Sequence, residues 1–337
     1  MRQDWLDVLK CIAMFAVIVG HASTGETPDT LRYYIYAFHM PLFFIISGMT
    51  YNLQMNKRHY TFPELLKNKS KTLLWPYLIF NLLVIPLWAV YFVLFPEEGG
   101  SIVSLLVSTA YSNPTWSSLP ISASWFLTTL FLTTLLFYGI VRASKKKNSV
   151  IFGVSAAAGL LGYGISLVED INLLYPWHIS TVPVACFLFM LGYMFMEYRD
   201  RIDKVLITRK MPVWILLAGG LGYIAARYNV KITMGLNHYG NFILFAVSVA
   251  AFSLAFYMIS RIIPPFGVLK LIGRNTVVYL CTHELLIIAM TVLSSSTAAL
   301  VSNHVIIASL IIFIVLIPVA YIVERWLPFL IGRRKKK

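Results

Sequence analysis

The sequence predicts an all-α protein, a polytopic transmembrane helix bundle of about ten spans with its N- and C-termini in the cytoplasm. Three observations point there. Of the 337 residues, 58% are hydrophobic and only 12% charged, with a mean hydropathy of +0.74, whereas a soluble domain is about one quarter charged. The apolar residues fall into separate runs of roughly 17 to 25, each long enough to cross about 30 Å of hydrocarbon as a helix. The basic residues gather in alternate connections between those runs, which orients the bundle by the positive-inside rule.

The expected spans lie near 5–23, 34–54, 72–95, 121–142, 149–168, 176–197, 211–228, 239–262, 275–296 and 304–328. Mixed charge precedes the first, and no small-residue cleavage site follows it, so it is expected to remain as a span. Lys57, Arg58, Lys67, Lys69 and Lys71 follow the second span, and Arg142 and Lys145 to Lys147 follow the fourth. Arg199, Arg201, Lys204, Arg209 and Lys210 follow the sixth, and Arg261, Lys270 and Arg274 lie around the eighth connection. The intervening connections carry Glu26, Asp29, Glu97, Glu98, Glu169 and Asp170, with Arg32, Arg227 and Lys231 as exceptions. The longest connection, Phe95 to Pro120, is rich in Gly, Ser, Asn and Pro. It is expected to be irregular or half-inserted and to cover a site.

The net charge of +14 raises nucleic acid as a partner, but the cations are dispersed between apolar runs and form no phosphate-binding face. They serve as topology signals, and the tail Arg333 to Lys337 also suits anionic lipid headgroups. Cys11, Cys186 and Cys281 sit inside apolar runs without metal-ligand spacing or a disulfide pattern. No P-loop, nucleophile elbow or HExxH sequence occurs, and no metal is expected.

Ionisable groups at membrane depth cost a few kcal/mol and therefore tend to face a cavity or a partner. In the first span Lys10 and His21 are eleven residues apart, which at about 100° per residue places them within roughly 20° of one face and about 16 Å apart along the axis. Asp7 precedes Lys10 by one turn on nearly the same stripe. A plainer alternative pairs Asp7 with Lys10 at the interface and leaves His21 among the headgroups. In the second span Pro41 removes a backbone donor and can bend the helix, Ser47 and Gly48 permit close approach, and His39 lies at the depth of His21. In the ninth, His283 and Glu284 diverge by about 100° and are not expected to face one narrow site together. Arg274 and Asn275 open that span where a phosphate-bearing ligand would arrive. Trp125, at the head of the fourth span, and the triplet Pro176 to His178 suit an interfacial aromatic belt.

An ordered set of short motifs then becomes recognisable: Lys10 with His21; FHMPLFFIISG from Phe38; LLWPY ending at Tyr77; WFL from Trp125; FLFMLGYMF ending at Phe195; and GRNTVVYLCTHELL from Gly273. Together they resemble the acyltransferase-3 membrane proteins, which O-acetylate bacterial surface glycans, and especially the fucose-4-O-acetylase-like members. Where that family often carries a pair of arginines before the third span, this chain has Lys67, Lys69 and Lys71.

The resemblance implies one membrane domain over residues 1–332, a basic cytoplasmic tail at 333–337, and a place in the bacterial cytoplasmic membrane. It implies acetyl-CoA as acyl donor and a sugar or lipid-linked glycan hydroxyl as acceptor. His21 is the expected general base, with Lys10 and Asp7 orienting it or steering the donor; an acyl-histidine is also chemically open. Lys69, Lys71, Arg274 and Asn275 are the expected donor-binding residues, and His39, Ser47, Trp125, His283 and Glu284 the expected pocket. A transporter or flippase, a sensory or anchoring module, and another acyl group or acceptor are the competing functions.

Overall fold

The computed structural model describes residues 3–23, 29–95, 101–112, 120–168, 175–293 and 295–334. Among these residues the chain is helical, and the one β contact is an isolated bridge between Thr233 and His238. The helices are α1 (Asp4–Ala22), α2 (Asp29–Tyr36), α3 (His39–Lys57), α4 (Phe62–Lys69), α5 (Trp75–Leu94), α6 (Ile102–Tyr111), α7 (Trp125–Ala143) and α8 (Asn148–Ser166). They continue as α9 (Val182–Leu206), α10 (Met211–Arg227), α11 (Phe242–Ile262), α12 (Gly267–Arg274), α13 (Thr276–Leu293), α14 (Ser295–Asn303) and α15 (Val305–Arg325).

Every predicted span coincides with a helix. Seven stretches are long and apolar enough to cross a membrane, and the pair α12 and α13 makes an eighth if counted as one bent span. Helix α3 and the 17-residue α10 occupy the two remaining predicted segments.

Three details depart from expectation. The second predicted span begins as α2, breaks at Ala37 and Phe38, and restarts as α3. Pro41 falls in the first turn of α3, where its missing N–H costs nothing, so it starts a helix instead of bending one. The ninth span is broken at Asn275, where α12 and α13 meet at 85°. The third is extended backwards through a π-turn, Ser70–Leu74, into α4, whose start is fixed by a capping box between Thr61 and Glu64.

The long connection after α5 contains the helix α6; the rest of it, at 96–100 and 113–119, lies outside the described residues, as do Glu26, Glu97, Glu98, Glu169, Asp170 and Lys335 to Lys337. The first tail residue, Arg333, folds back and donates to the Asn275 side chain at 3.1 Å and to the Arg274 carbonyl.

Helix α1 is the structural centre. In its apolar window 72% of residues are buried, against 33% for α15, although α15 is the more uniformly apolar sequence. Leu216, Ile243, Val93 and Ile314 project outward from peripheral helices, as expected where hydrocarbon is the solvent. Helices α3 and α9 pack with backbones nearly touching. A Cβ at Gly48 would overlap the Phe189 carbonyl, and one at Gly192 would overlap the Ile45 carbonyl. Small residues are the means by which helices associate closely in lipid. One turn further on, Tyr51, Phe137, Phe189 and Tyr193 fill the seam with tilted ring contacts.

Candidate active site

The C-terminal turn of α1 and the middle of α13 meet at three ionisable side chains. His21 Nδ1 lies 3.0 Å from Glu284 Oε1, with the two side chains 19% and 13% exposed. The His283 ring lies 5.0 Å from that of His21, and the His39 ring 6.4 Å. His283 and His39 are buried. The expectation that His283 and Glu284 could not share a site is therefore corrected. Adjacent helical residues do diverge by about 100°, but His21 enters the angle between them from the neighbouring helix and meets both.

The tautomers follow from the partners. His39 Nδ1 is 2.9 Å from the Ile35 carbonyl, and His283 Nδ1 is 2.9 Å from the Tyr279 carbonyl. A carbonyl only accepts, so each Nδ1 carries the proton and each Nε2 keeps its lone pair. A carboxylate has the same effect on His21. His283 Nε2 is buried without a hydrogen-bond partner among the described residues.

Glu284 is itself anchored. It accepts from the Ser122 hydroxyl and from the Ala123 N–H, at 3.2 and 3.3 Å to its two oxygens. The 3₁₀ turn Ser122–Ser124 that supplies these donors is pinned from α5. The fully buried Asn81 donates to Ser124 Oγ at 3.0 Å and to the Tyr77 carbonyl at 2.8 Å, and accepts from the Ile121 N–H at 3.1 Å. A chain of hydrogen bonds thus runs from Asn81 through the turn to Glu284 and His21.

Asn81→Leu leaves a buried amide N–H and a hydroxyl short of partners, a cost of about 1 to 3 kcal/mol. The expected outcome is a thermal transition clearly below that of the unsubstituted protein with helical content unchanged. Thermal melts followed by circular dichroism on the purified variant check this.

Toward the basic end of the bundle, a cavity of about 170 Å³ lies among α1, α3, the end of α4, the π-turn, α7, α9 and α13. Lys10 and Lys69 line it together with Ser47, Thr50 and Thr134, and its apolar wall includes Met14, Met40 and Phe43. Lys69 also donates to Gln54 at 3.3 Å. Met40 is next to His39 in sequence, and Met14 is two turns below His21 on α1, about 10 Å at a rise of about 1.5 Å per residue.

The remaining expected site residues are dispersed. Asp7, about 60° round the helix from Lys10, is buried, and its Oδ2 is 3.6 Å from Arg274 Nε. The amide of Asn275 is occupied by the Leu271 carbonyl, Glu324 at 2.7 Å and Arg333, so it staples the α12–α13 break. Lys71 is exposed on the π-turn. The Trp125 ring packs 5.0 Å from the His178 ring. Sequence reasoning did not single out Asn81, Ser122, Thr50 or Thr134. A lone Asn inside the apolar run FNLLV was the available signal for Asn81; the donor role of the Ala123 backbone left none.

An imidazole–carboxylate pair held between the last turn of α1 and α13, inside a bundle with seven helices long and apolar enough to cross a membrane, gives a multi-pass membrane protein a polar site. A family model described as an acyltransferase domain matches residues 3–325. The chain belongs to that family, acyltransferase-3, and is a membrane acyltransferase. Comparison with curated proteins and with solved structures finds no match.

Proposed function

We propose that the protein is an O-acetyltransferase of the bacterial cytoplasmic membrane, moving an acetyl group from cytosolic acetyl-CoA to a hydroxyl of a cell-surface or lipid-linked sugar. The observation that carries this reading is the His21–Glu284 pair, 3.0 Å apart, with the His21 Nε2 lone pair left free by that contact. Such a pair is the base half of a catalytic triad, needing only a substrate hydroxyl as nucleophile. Glu284 orients the ring and stabilises the imidazolium that forms. His21 Nε2 takes the acceptor proton while the acceptor oxygen attacks the thioester carbonyl. The carbon–sulfur bond then breaks, the ester is complete, and the thiolate leaving group recovers the proton from His21.

The cavity lined by Lys10 and Lys69 supports the donor half of the reading. At about 170 Å³ it is smaller than the pockets of about 300 to 1,000 Å³ that enclose drug-sized ligands, so in this reading it takes only part of the donor, the thioester arm. Lys10 and Lys69 in its lining, with exposed Lys71 and half-buried Arg274, attract the donor's phosphates. Ser47, Thr50 and Thr134 offer hydroxyls to the arm's amides, while His39 and His283 line the acceptor side. Asp7 acts by holding Arg274, and Asn275 by fixing the break on which Arg274 sits. Both termini lie in the cytoplasm in this reading, which follows the basic connections.

Two measurements test the proposal. Mass spectrometry of surface glycans from a deletion strain, complemented with the wild type or with His21→Ala, should show acetyl esters only with the wild type; full acetylation by His21→Ala overturns it. Lys69→Ala should raise the KM for acetyl-CoA about tenfold and leave kcat within about twofold, as loss of a ground-state contact does.

A further inference from the structure

We infer that His21, His283 and Glu284 form a binding site for a divalent cation of the zinc class, and that its occupation excludes proton abstraction by His21. The inference rests on the general-base reading of His21. The three residues each offer a ligand atom, and those atoms lie within 4.8 Å of one another. Two imidazoles and one carboxylate are a ligand set that binds zinc with a fourth position left open. Ligand atoms bound to one zinc ion stand roughly 3.4 Å apart, since each lies about 2.0 to 2.2 Å from the metal. Small ring rotations therefore close the site.

Two features beyond proximity point to a cation. His283 Nε2 is buried and partnerless, while its Nδ1 is committed to the Tyr279 carbonyl. This is how ligating histidines are held, with the outward nitrogen bonded to a carbonyl and the inward lone pair presented to the metal. Glu284 is likewise held in place: Ser122 and Ala123 donate to the Oε1 that faces His21, and among the described residues Oε2 has a single further contact, the Ala123 N–H at 3.3 Å. No ligand-spacing motif announces the site because its members come from helices α1 and α13.

Occupation and catalysis compete for the same electrons. If the cation binds His21 Nε2, the lone pair that would accept the acceptor proton becomes the coordinate bond. If it binds Nδ1, the proton there moves to Nε2, and the base is again lost. In both cases Glu284 transfers its charge from the imidazole to the metal. The site is thus inhibitory, and the cation best suited to it is one that favours nitrogen and carboxylate ligands, as Zn²⁺ does and Mg²⁺ does not.

The test uses the full chain in detergent, stripped with a chelator and titrated with ZnCl₂, with bound zinc measured by elemental analysis and acyl transfer followed by thiol release. Expected are saturation near one zinc per chain, a fall in transfer of at least tenfold over the same range, and recovery on chelation. His283→Gln and, separately, Glu284→Gln should bind zinc at least tenfold more weakly while keeping a cooperative thermal transition. Non-saturable binding, wild-type affinity in both variants, or transfer that requires zinc overturns the inference. Saturable binding lost in both variants, with no thiol release under any condition, supports the site and instead removes the general-base reading.

Discussion

If His21 is the base proposed, His21→Ala is expected to lower acyl-transfer turnover by about 10² to 10⁴-fold, the range that a positioned general base contributes, while the protein purifies as a folded species. The side chain is 19% exposed at the end of α1 and makes its contact with Glu284 from there, so truncation removes the proposed base without opening the apolar core. Glu284→Gln gives a loss of similar size by a different route. An amide can donate to His21 Nδ1, which drives the ring proton to Nε2 and presents the acceptor with an N–H in place of a lone pair. The two losses do not add, because both remove one function; the double variant turns over at about the rate of the worse single one. Size-exclusion profiles alongside the kinetics separate chemistry from folding.

The second large effect is on folding. At Gly48 and Gly192 an added Cβ meets backbone, the carbonyls of Phe189 and Ile45, and not a side chain that could swing aside. Helices α3 and α9 must then separate, and overpacking of this kind costs about 3 kcal/mol or more. Gly48→Ala and Gly192→Ala are each expected to lower the thermal transition sharply, and Gly48→Val to prevent recovery of monodisperse protein. Gly139→Ala is the control: nothing lies within 4 Å of its Cβ position, and in the interior of α7 the change gains helix propensity worth up to about 1 kcal/mol. Equal behaviour of Gly48→Ala and Gly139→Ala would contradict the packing account.

The helices were legible in the sequence because hydropathy over roughly 20 residues reports directly on the cost of burying backbone in lipid. Breaks within them were less so. Pro41 alone does not distinguish a bend from a restart, and the 85° turn at Asn275 depends on a partner, Glu324, forty-nine residues away. Site residues followed the same division. His21 and His39 could be placed at one depth by counting along a helix, and Lys10 and Lys69 now line one cavity. The pairing of His21 with Glu284 could not be foreseen, since it depends on how α1 packs against α13. Asp7 sits about 60° round the helix from Lys10, and its contact with Arg274 could not be read from α1 alone because it depends on how α12 packs.

The most direct measurement is transfer itself. Purified wild-type protein in lipid nanodiscs, given acetyl-CoA labelled in the acetyl group and a panel of sugar acceptors, is expected to yield a labelled, base-labile sugar ester and one free thiol for each ester formed. Recovery of the thioester intact, with labelled sugar instead moved across proteoliposome membranes, would contradict the account and make the bundle a transporter.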